Sequence, residues 1–158
     1  MTILVTGANG FIGAHIVRSL LKRDYQVRAF VRPDANMRNL DGLKVQIVHG
    51  DLLRPGSVID AALGCKAVIH AAGLINTHPL DGWHVWEVNF IGATNAFTAA
   101  QLAQVEKVIY TGSIFALGVS PDGRPANESV ANNLSHLRFP YIAARRAAQV
   151  KAEKLLVG

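Results

Sequence analysis

Three glycines near the start of the chain, Gly7, Gly10 and Gly13 in the stretch TILVTGANGFIG, follow the spacing G-x-x-G-x-x-G. That spacing suits phosphate recognition. Gly7 permits a sharp exit from a strand, Gly10 lets the backbone approach a pyrophosphate, and Gly13 lets the following helix pack closely on a sheet. A helix that begins here turns its free N–H groups toward the anion. The alternative is a tight turn with only a structural role. No G-K-[ST] closes the glycine run, which excludes a P-loop.

The elements around this loop must deliver and hold it. Ile3 to Val5 is a short apolar run that breaks at Thr6-Gly7, the mark of a buried strand entering a turn. Phe11, Ile12, Ile16, Val17, Leu20 and Leu21 then recur at helical spacing, with Lys22 and Arg23 in the last turn, where the helix dipole favours cations. The same reading predicts strands over Gln26 to Val31, Val45 to Val48, Ala67 to His70 and Lys107 to Tyr110. Helices are predicted over Ser57 to Leu63, Trp83 to Gln104 and Tyr141 to Leu156, with Pro33 to Asn39 a polar connection or short helix. Strands alternating with helices at this interval imply an α/β fold, a doubly wound parallel sheet of about five strands in three α/β/α layers. The loosest stretch, Ser120 to His136, is either a substrate-facing element or a surface excursion.

Composition narrows the function classes. At 158 residues with half of them apolar, the chain is long enough for one domain with its own core. The formal charge of +5 is dispersed, apart from Arg138, Arg145, Arg146, Lys151 and Lys154 near the end, which read as a solvated helix face. A nucleic-acid partner is therefore not expected. No apolar run approaches the roughly 18 residues that cross a bilayer, and the start lacks signal-peptide sections, so no membrane partner and a cytoplasmic location are expected. Cys65 is the only cysteine, which rules out an internal disulfide and reads as core filler. His15, His49, His70, His78, His84 and His136 show no i, i+4 pairing, so no metal site is expected and they read as unrelated surface or cleft residues. Trp83 and Trp86, which flank His84, read as packing residues.

With these motifs in place the sequence resembles the extended short-chain dehydrogenases/reductases, the NAD-dependent epimerase/dehydratase group. Thr6 to Gly13 resembles their T-G-x-x-G-x-x-G fingerprint, and the likeness runs the length of the chain. Gly50-Asp51-Leu52 resembles the G-D-[LV] after the third strand, whose aspartate contacts the adenine. His70-Ala71-Ala72-Gly73 resembles the H-x-A-[AG] turn beside the ribose and nicotinamide. Val88 to Asn95 resembles V-N-x-x-G-T-x-N, in which Asn89 would bridge structural elements. Val108 to Ser113 resembles the fifth strand that ends in a catalytic serine. Within the family the likeness is closest to the dihydroflavonol-reductase-like and hopanoid-associated sugar epimerase branch, judged from VRAFVRPDANMRNLDGL and GDLLRPGSV.

The resemblance implies a dinucleotide cofactor held by Gly7, Asn9, Gly10, Phe11, Ile12, Gly13, Arg32, Asp51, Leu52, Ala71, Ala72 and Gly73. A member that binds NAD usually carries an acidic side chain at the end of the second strand. Here that position is Val31, followed by Arg32, whose guanidinium would welcome a 2′-phosphate that no carboxylate repels. NADP is therefore expected, with NAD the alternative; a purely exposed strand-end charge is the other reading of Arg32.

The resemblance also implies the catalytic set. A tyrosine donates the proton, a cation one turn later favours tyrosinate, and a serine orients the carbonyl. Ser113 and Tyr141 match the serine and tyrosine, and Arg145 stands where the family has lysine. Arginine keeps the positive field but cannot relay protons, so activity either survives at reduced rate or is lost while cofactor binding persists. Tyr141 has a plainer reading as a partly buried residue at a helix start.

Family members continue past this last helix into further strands and a substrate domain, so residues 1–158 read as the nucleotide-binding part, truncated relative to the family. Apolar surface on the fifth strand and last helix would then favour self-association. The expected function is an NAD(P)-dependent oxidoreductase or epimerase acting on a hydroxyl or carbonyl of a small organic or sugar-derived substrate. The alternative is a non-catalytic dinucleotide-binding module. A methyltransferase is disfavoured because no acidic residue precedes Gly7 or ends the second strand.

Overall fold

In the computed structural model, which describes residues 1–75, 78, 81–137 and 139–156, the apolar run Ile3-Leu4-Val5 is buried on both faces. It forms the centre of β1 (Thr2–Thr6). With β2 (Gln26–Val31), β3 (Gln46–His49), β4 (Ala67–His70) and β5 (Lys107–Tyr110) it makes one sheet in the order β3-β2-β1-β4-β5. All four pairings are parallel. The chain leaves β1 toward β2 on one side and later returns from β3 to β4 on the other. This reversal opens a crevice above the carboxyl ends of β1 and β4.

Alternation along β1 assigns each face a layer. Ile3 and Val5 pack against Ala14 and Val17 of α1 (Phe11–Leu21). Leu4 points the other way, toward Val58 and Ala61 of α2 (Pro55–Ala62) and Ala96 and Ala100 of α4 (Gly92–Leu102). Cys65 is buried in this second layer. The small residues of α4, Ala93, Ala96, Ala99 and Ala100, let that helix lie close on both the sheet and its neighbours. The last helix, α5 (Pro140–Leu156), packs on α4 through Ala148 and Ala152, which meet Ala93 and Phe97.

Several boundaries differ from the sequence reading. β3 lies one residue later than predicted, because the Val45 amide is spent on a turn with Leu43 O. α2 begins two residues earlier, at Pro55, whose fixed φ and missing N–H suit a first helical turn. The long helix predicted over Trp83 to Gln104 is in three parts: α3 (Gly82–Trp86), a π-helical turn (Glu87–Ile91), and α4, which ends at Leu102. The Pro33 to Asn39 connection carries a hydrogen-bonded turn at Arg32–Ala35 and a 3₁₀ turn at Arg38–Leu40. No helix among the described residues is long and apolar enough to cross a membrane.

Candidate functional site

β1 delivers the chain into a loop whose glycines are sterically required. Gly7 has φ +66, and a Cβ there would lie 2.6 Å from Ala72 Cα, so the exits of β1 and β4 touch. A Cβ on Gly13 would sit 2.0 Å from Gly7 O, which explains why the first turn of α1 can press onto the loop. Gly10 closes the loop by donating its N–H to Gly7 O at 3.0 Å. It is also the N-cap of α1, and no side chain caps that helix end. Its first amides are therefore available to an anion, reinforced by the helix dipole.

A cleft of about 500 Å³ opens in front of this helix end. Gly7, Asn9 and Gly10 line it from the loop, Arg32 from the end of β2, Asp51 and Leu52 from the end of β3, and Ala71, Ala72 and Gly73 from the exit of β4. These nine expected binding residues thus share one cavity. Phe11, Ile12 and Gly13 do not line it; Phe11 and Ile12 turn their side chains to solvent, which leaves their backbone amides as the groups that could serve a ligand. Asn9 is engaged with the Asn36 to Asn39 turn: its Nδ2 donates to Asn36 O at 3.2 Å, and its O accepts from Asn39 Nδ2 at 2.8 Å. The Asp51 carboxylate accepts from the Leu53 amide at 2.9 Å, while Leu52 O accepts from Asn95 Nδ2 at 2.8 Å. An uncapped helix end, a glycine cradle and a cleft crossing the switch point fit an extended diphosphate carrier.

One electrostatic expectation is corrected here. Arg32 Nε lies 3.5 Å from Asp34 Oδ1, and Asp34 lines the same cleft. A carboxylate therefore does stand beside Arg32 at the end of β2. Asp34 lies beyond the strand end, three residues after Val31.

None of the three expected catalytic residues lines this cleft, and each has a different setting. Ser113 Oγ accepts from the Phe115 amide at 3.3 Å and caps the 3₁₀ turn Ile114–Ala116. It lines a second hollow of about 560 Å³, with Gly112, Asn132, Arg146 and Gln149, and is absent from the walls of the first. Tyr141, half-buried in the first turn of α5, meets Phe115 edge-on at 6.2 Å. Arg145 is only 5% exposed and so does not belong to the solvated face predicted for the last helix. It donates to the carbonyls of Thr111 and of Gly112, the latter at 2.9 Å. Arg138, of the same predicted face, lies outside the described residues.

Three further residues near the site, His70, His84 and Asn89, have defined settings. His70 is fully buried rather than a surface or cleft residue, with Nδ1 2.7 Å from Thr6 Oγ1. Burial, helped by the Arg145 charge, pushes its pKa down to about 3. His84 lines the cleft, its Nδ1 3.8 Å from Glu87 Oε2. Asn89, in the π-helical turn, accepts from the Leu74 amide at 3.1 Å and donates to Leu74 O at 2.7 Å and Val85 O at 2.9 Å, tying the cleft wall to α3. The extra residue in that turn is what turns Asn89 inward, and such turns recur at functional sites. Trp86 packs on Phe90 at 4.8 Å, whereas Trp83 is 67% exposed. Among the described residues no three His, Cys, Asp or Glu side chains converge as a metal site.

A family model described as the NAD dependent epimerase/dehydratase family matches residues 3–155. Sterol demethylase protein B of Methylococcus capsulatus is 39% identical over 123 residues, covering 78% of this chain and 38% of that protein. The crystal structure of gox2253 superposes with a TM-score of 0.90 at 33% identity, covering 98% of this chain and 47% of that one. A short-chain dehydrogenase/reductase superfamily protein from Agrobacterium tumefaciens, solved with bound NAD, superposes with a TM-score of 0.76 at 26% identity, covering 98% of this chain and 44% of that one. The chain thus spans less than half the length of each of these proteins.

Proposed function

We propose a function from one premise: this chain belongs to the NAD dependent epimerase/dehydratase family. Residues 1–158 act as its nucleotide-binding domain. A nicotinamide dinucleotide lies in the cleft with its diphosphate at the start of α1, its adenosine toward Arg32 and Asp51, and its nicotinamide toward Gly73. The observation that carries this reading is the uncapped α1 terminus facing the cleft across a Gly7 that a Cβ would drive into Ala72. NADP is the preferred cofactor because Arg32 is exposed at the adenosine end, with NAD the alternative because Asp34 shares that end.

The whole protein is an oxidoreductase or epimerase acting on a hydroxyl or carbonyl of a small organic or sugar-derived molecule. The bound dinucleotide supplies or accepts the hydride. Tyr141 gives or takes the proton at the substrate oxygen, and Ser113 turns its hydroxyl from the Phe115 amide to the substrate carbonyl. Arg145 contributes fixed positive charge and, having no accessible neutral form, relays no proton. Self-association is proposed through β5, which pairs only with β4 among the described strands and exposes Ile109, or through α5.

A second reading, a dinucleotide-binding module without catalysis, is favoured by the inward turn of Arg145 and by the position of Ser113 outside the cleft. Fluorescence titration with NADPH followed by a carbonyl turnover assay separates the two. Binding with turnover supports the enzyme, binding without turnover the module, and no binding of either coenzyme overturns both.

A further inference from the structure

Thr6, His70 and Tyr110 are in register across β1, β4 and β5. Neighbours in a parallel sheet point to the same face, so their side chains form one strip at the carboxyl edge. His70 is hydrogen-bonded to Thr6, and its ring stacks on Tyr110 with centroids 5.7 Å apart and planes at 22°. Phe97 meets both rings edge-on, at 5.9 and 5.2 Å. The strip ends at Arg145, whose Cζ lies 5.1 Å from the Tyr110 centroid. It therefore links the strand that enters the glycine loop to position 145.

Arg145 is a buried cation, and no ion pair to it occurs among the described residues. Two carbonyls share one of its amino groups, and its Nε has no hydrogen-bond partner among the described residues. A buried charge without a counter-ion needs other compensation, and the negative face of an aromatic ring supplies it. Its second amino group lies 3.3 Å from where a Cβ on Gly73 would be, so it abuts the wall of the cleft.

We propose that Tyr110 is a positioning residue: its ring is the floor that holds the Arg145 guanidinium in place, with one amino group on the carbonyls of β5's exit and the other beside Gly73, against the cofactor. This rests on reading the cleft as a dinucleotide site. A delocalised, weakly hydrated guanidinium suits such a seat better than a compact, strongly hydrated ammonium, which explains why arginine is accommodated at position 145. Tyr110 acts through its face. Its hydroxyl has no partner among the described residues, and burial pushes its pKa up, so it stays protonated. His70 stays neutral and adds no second positive charge to the strip.

The test uses the full chain with Tyr110→Phe, Tyr110→Leu, R145K and the double variant Y110L/R145K, read by NADPH titration and by thermal unfolding. Tyr110→Phe keeps the ring and should leave NADPH affinity within about twofold, whereas Tyr110→Leu should weaken it about tenfold. In the R145K background the Tyr110→Leu loss should shrink to less than about threefold. Should Y110L not fold, Tyr110→Met, whose unbranched and flexible side chain adapts to the gap, replaces it with the same expectations. An equal loss in both backgrounds, or none in folded Y110L, overturns the proposal. If the wild-type chain binds NADH and not NADPH, NADH is the titrant with the same expectations; if it binds neither, the dinucleotide reading fails by itself, and the seat is then judged by unfolding alone, where non-additive Tm shifts support it and additive ones overturn it.

Discussion

Arg32 Nε stands 3.5 Å from Asp34 Oδ1 on the wall of the cleft at the exit of β2, both side chains largely in solvent. An exposed pair of this kind contributes about 1 kcal/mol or less, so a doubly charged phosphate can displace it. Arg32→Ala should weaken NADPH binding about tenfold and leave NADH within about twofold, since only the former loses a charge-assisted hydrogen bond. Asp34→Asn should strengthen NADPH binding severalfold. Titration of both coenzymes measures this, and a wild-type preference for NADH would assign the site to NAD.

Gly13 has no room for a side chain, because a Cβ would lie 2.0 Å from backbone Gly7 O. Gly13→Ala should destabilise the fold by about 1–3 kcal/mol and abolish coenzyme binding, as α1 is pushed off the loop. Gly56, in the first turn of α2, meets nothing within 4 Å of its Cβ position. Gly56→Ala should be neutral or stabilising by about 0.5–1 kcal/mol. Chemical denaturation of the pair reads the contrast.

Neither Tyr141 nor Ser113 lines the cleft in front of α1. If they act on the substrate, Tyr141→Phe should lower turnover by about 10²–10⁴-fold with the NADPH dissociation constant unchanged. Ser113→Ala should also lower turnover, and should cost up to about 1 kcal/mol of stability through the lost cap on Phe115. Steady-state kinetics beside a binding titration distinguishes these effects. Turnover retained in Tyr141→Phe would remove the tyrosine from the reaction.

His70 should make the fold acid-sensitive. Its pKa is held at about 3 in the native protein, against an ordinary value of 6.5 in the unfolded chain, so the unfolded state binds the extra proton between those values. The contribution is fully present above pH 6.5 and declines as pH falls toward 3, by about 2 kcal/mol at pH 5. His70→Asn should be less stable at pH 7 yet lose less on going to pH 5. Melting curves at the two pH values check this, and parallel losses in both proteins would remove His70 as the cause.

The parts of the site that are legible in the sequence are those encoded locally. Gly10 and Gly13 face Gly7 O within seven residues of chain and Gly7 itself takes a positive φ, so their spacing announces both the turn and the helix that follows, whereas the contact of Gly7 with Ala72 is not local. Val31 and Arg32 were likewise legible as the end of β2, but Asp34 was not, because its return toward Arg32 depends on the turn at Arg32 to Ala35. The interruption at Glu87–Ile91 was hidden for a different reason: the apolar periodicity runs through it, and only the bonds from Asn89 to Leu74 and Val85 reward the extra residue.

By itself the amino-acid sequence determined the alternation of buried strands and amphipathic helices, and with it a parallel sheet whose first loop is shaped for an anion. Those signals arise from neighbours along the chain, where apolar period and glycine sterics act directly. The tertiary structure alone decided that Thr6, His70 and Tyr110 share one row, that Arg145 turns inward onto that row, and that Ser113 faces a separate hollow. Register between strands and the burial of a charge depend on which distant surfaces are desolvated against one another, and no local pattern of residues carries that free energy.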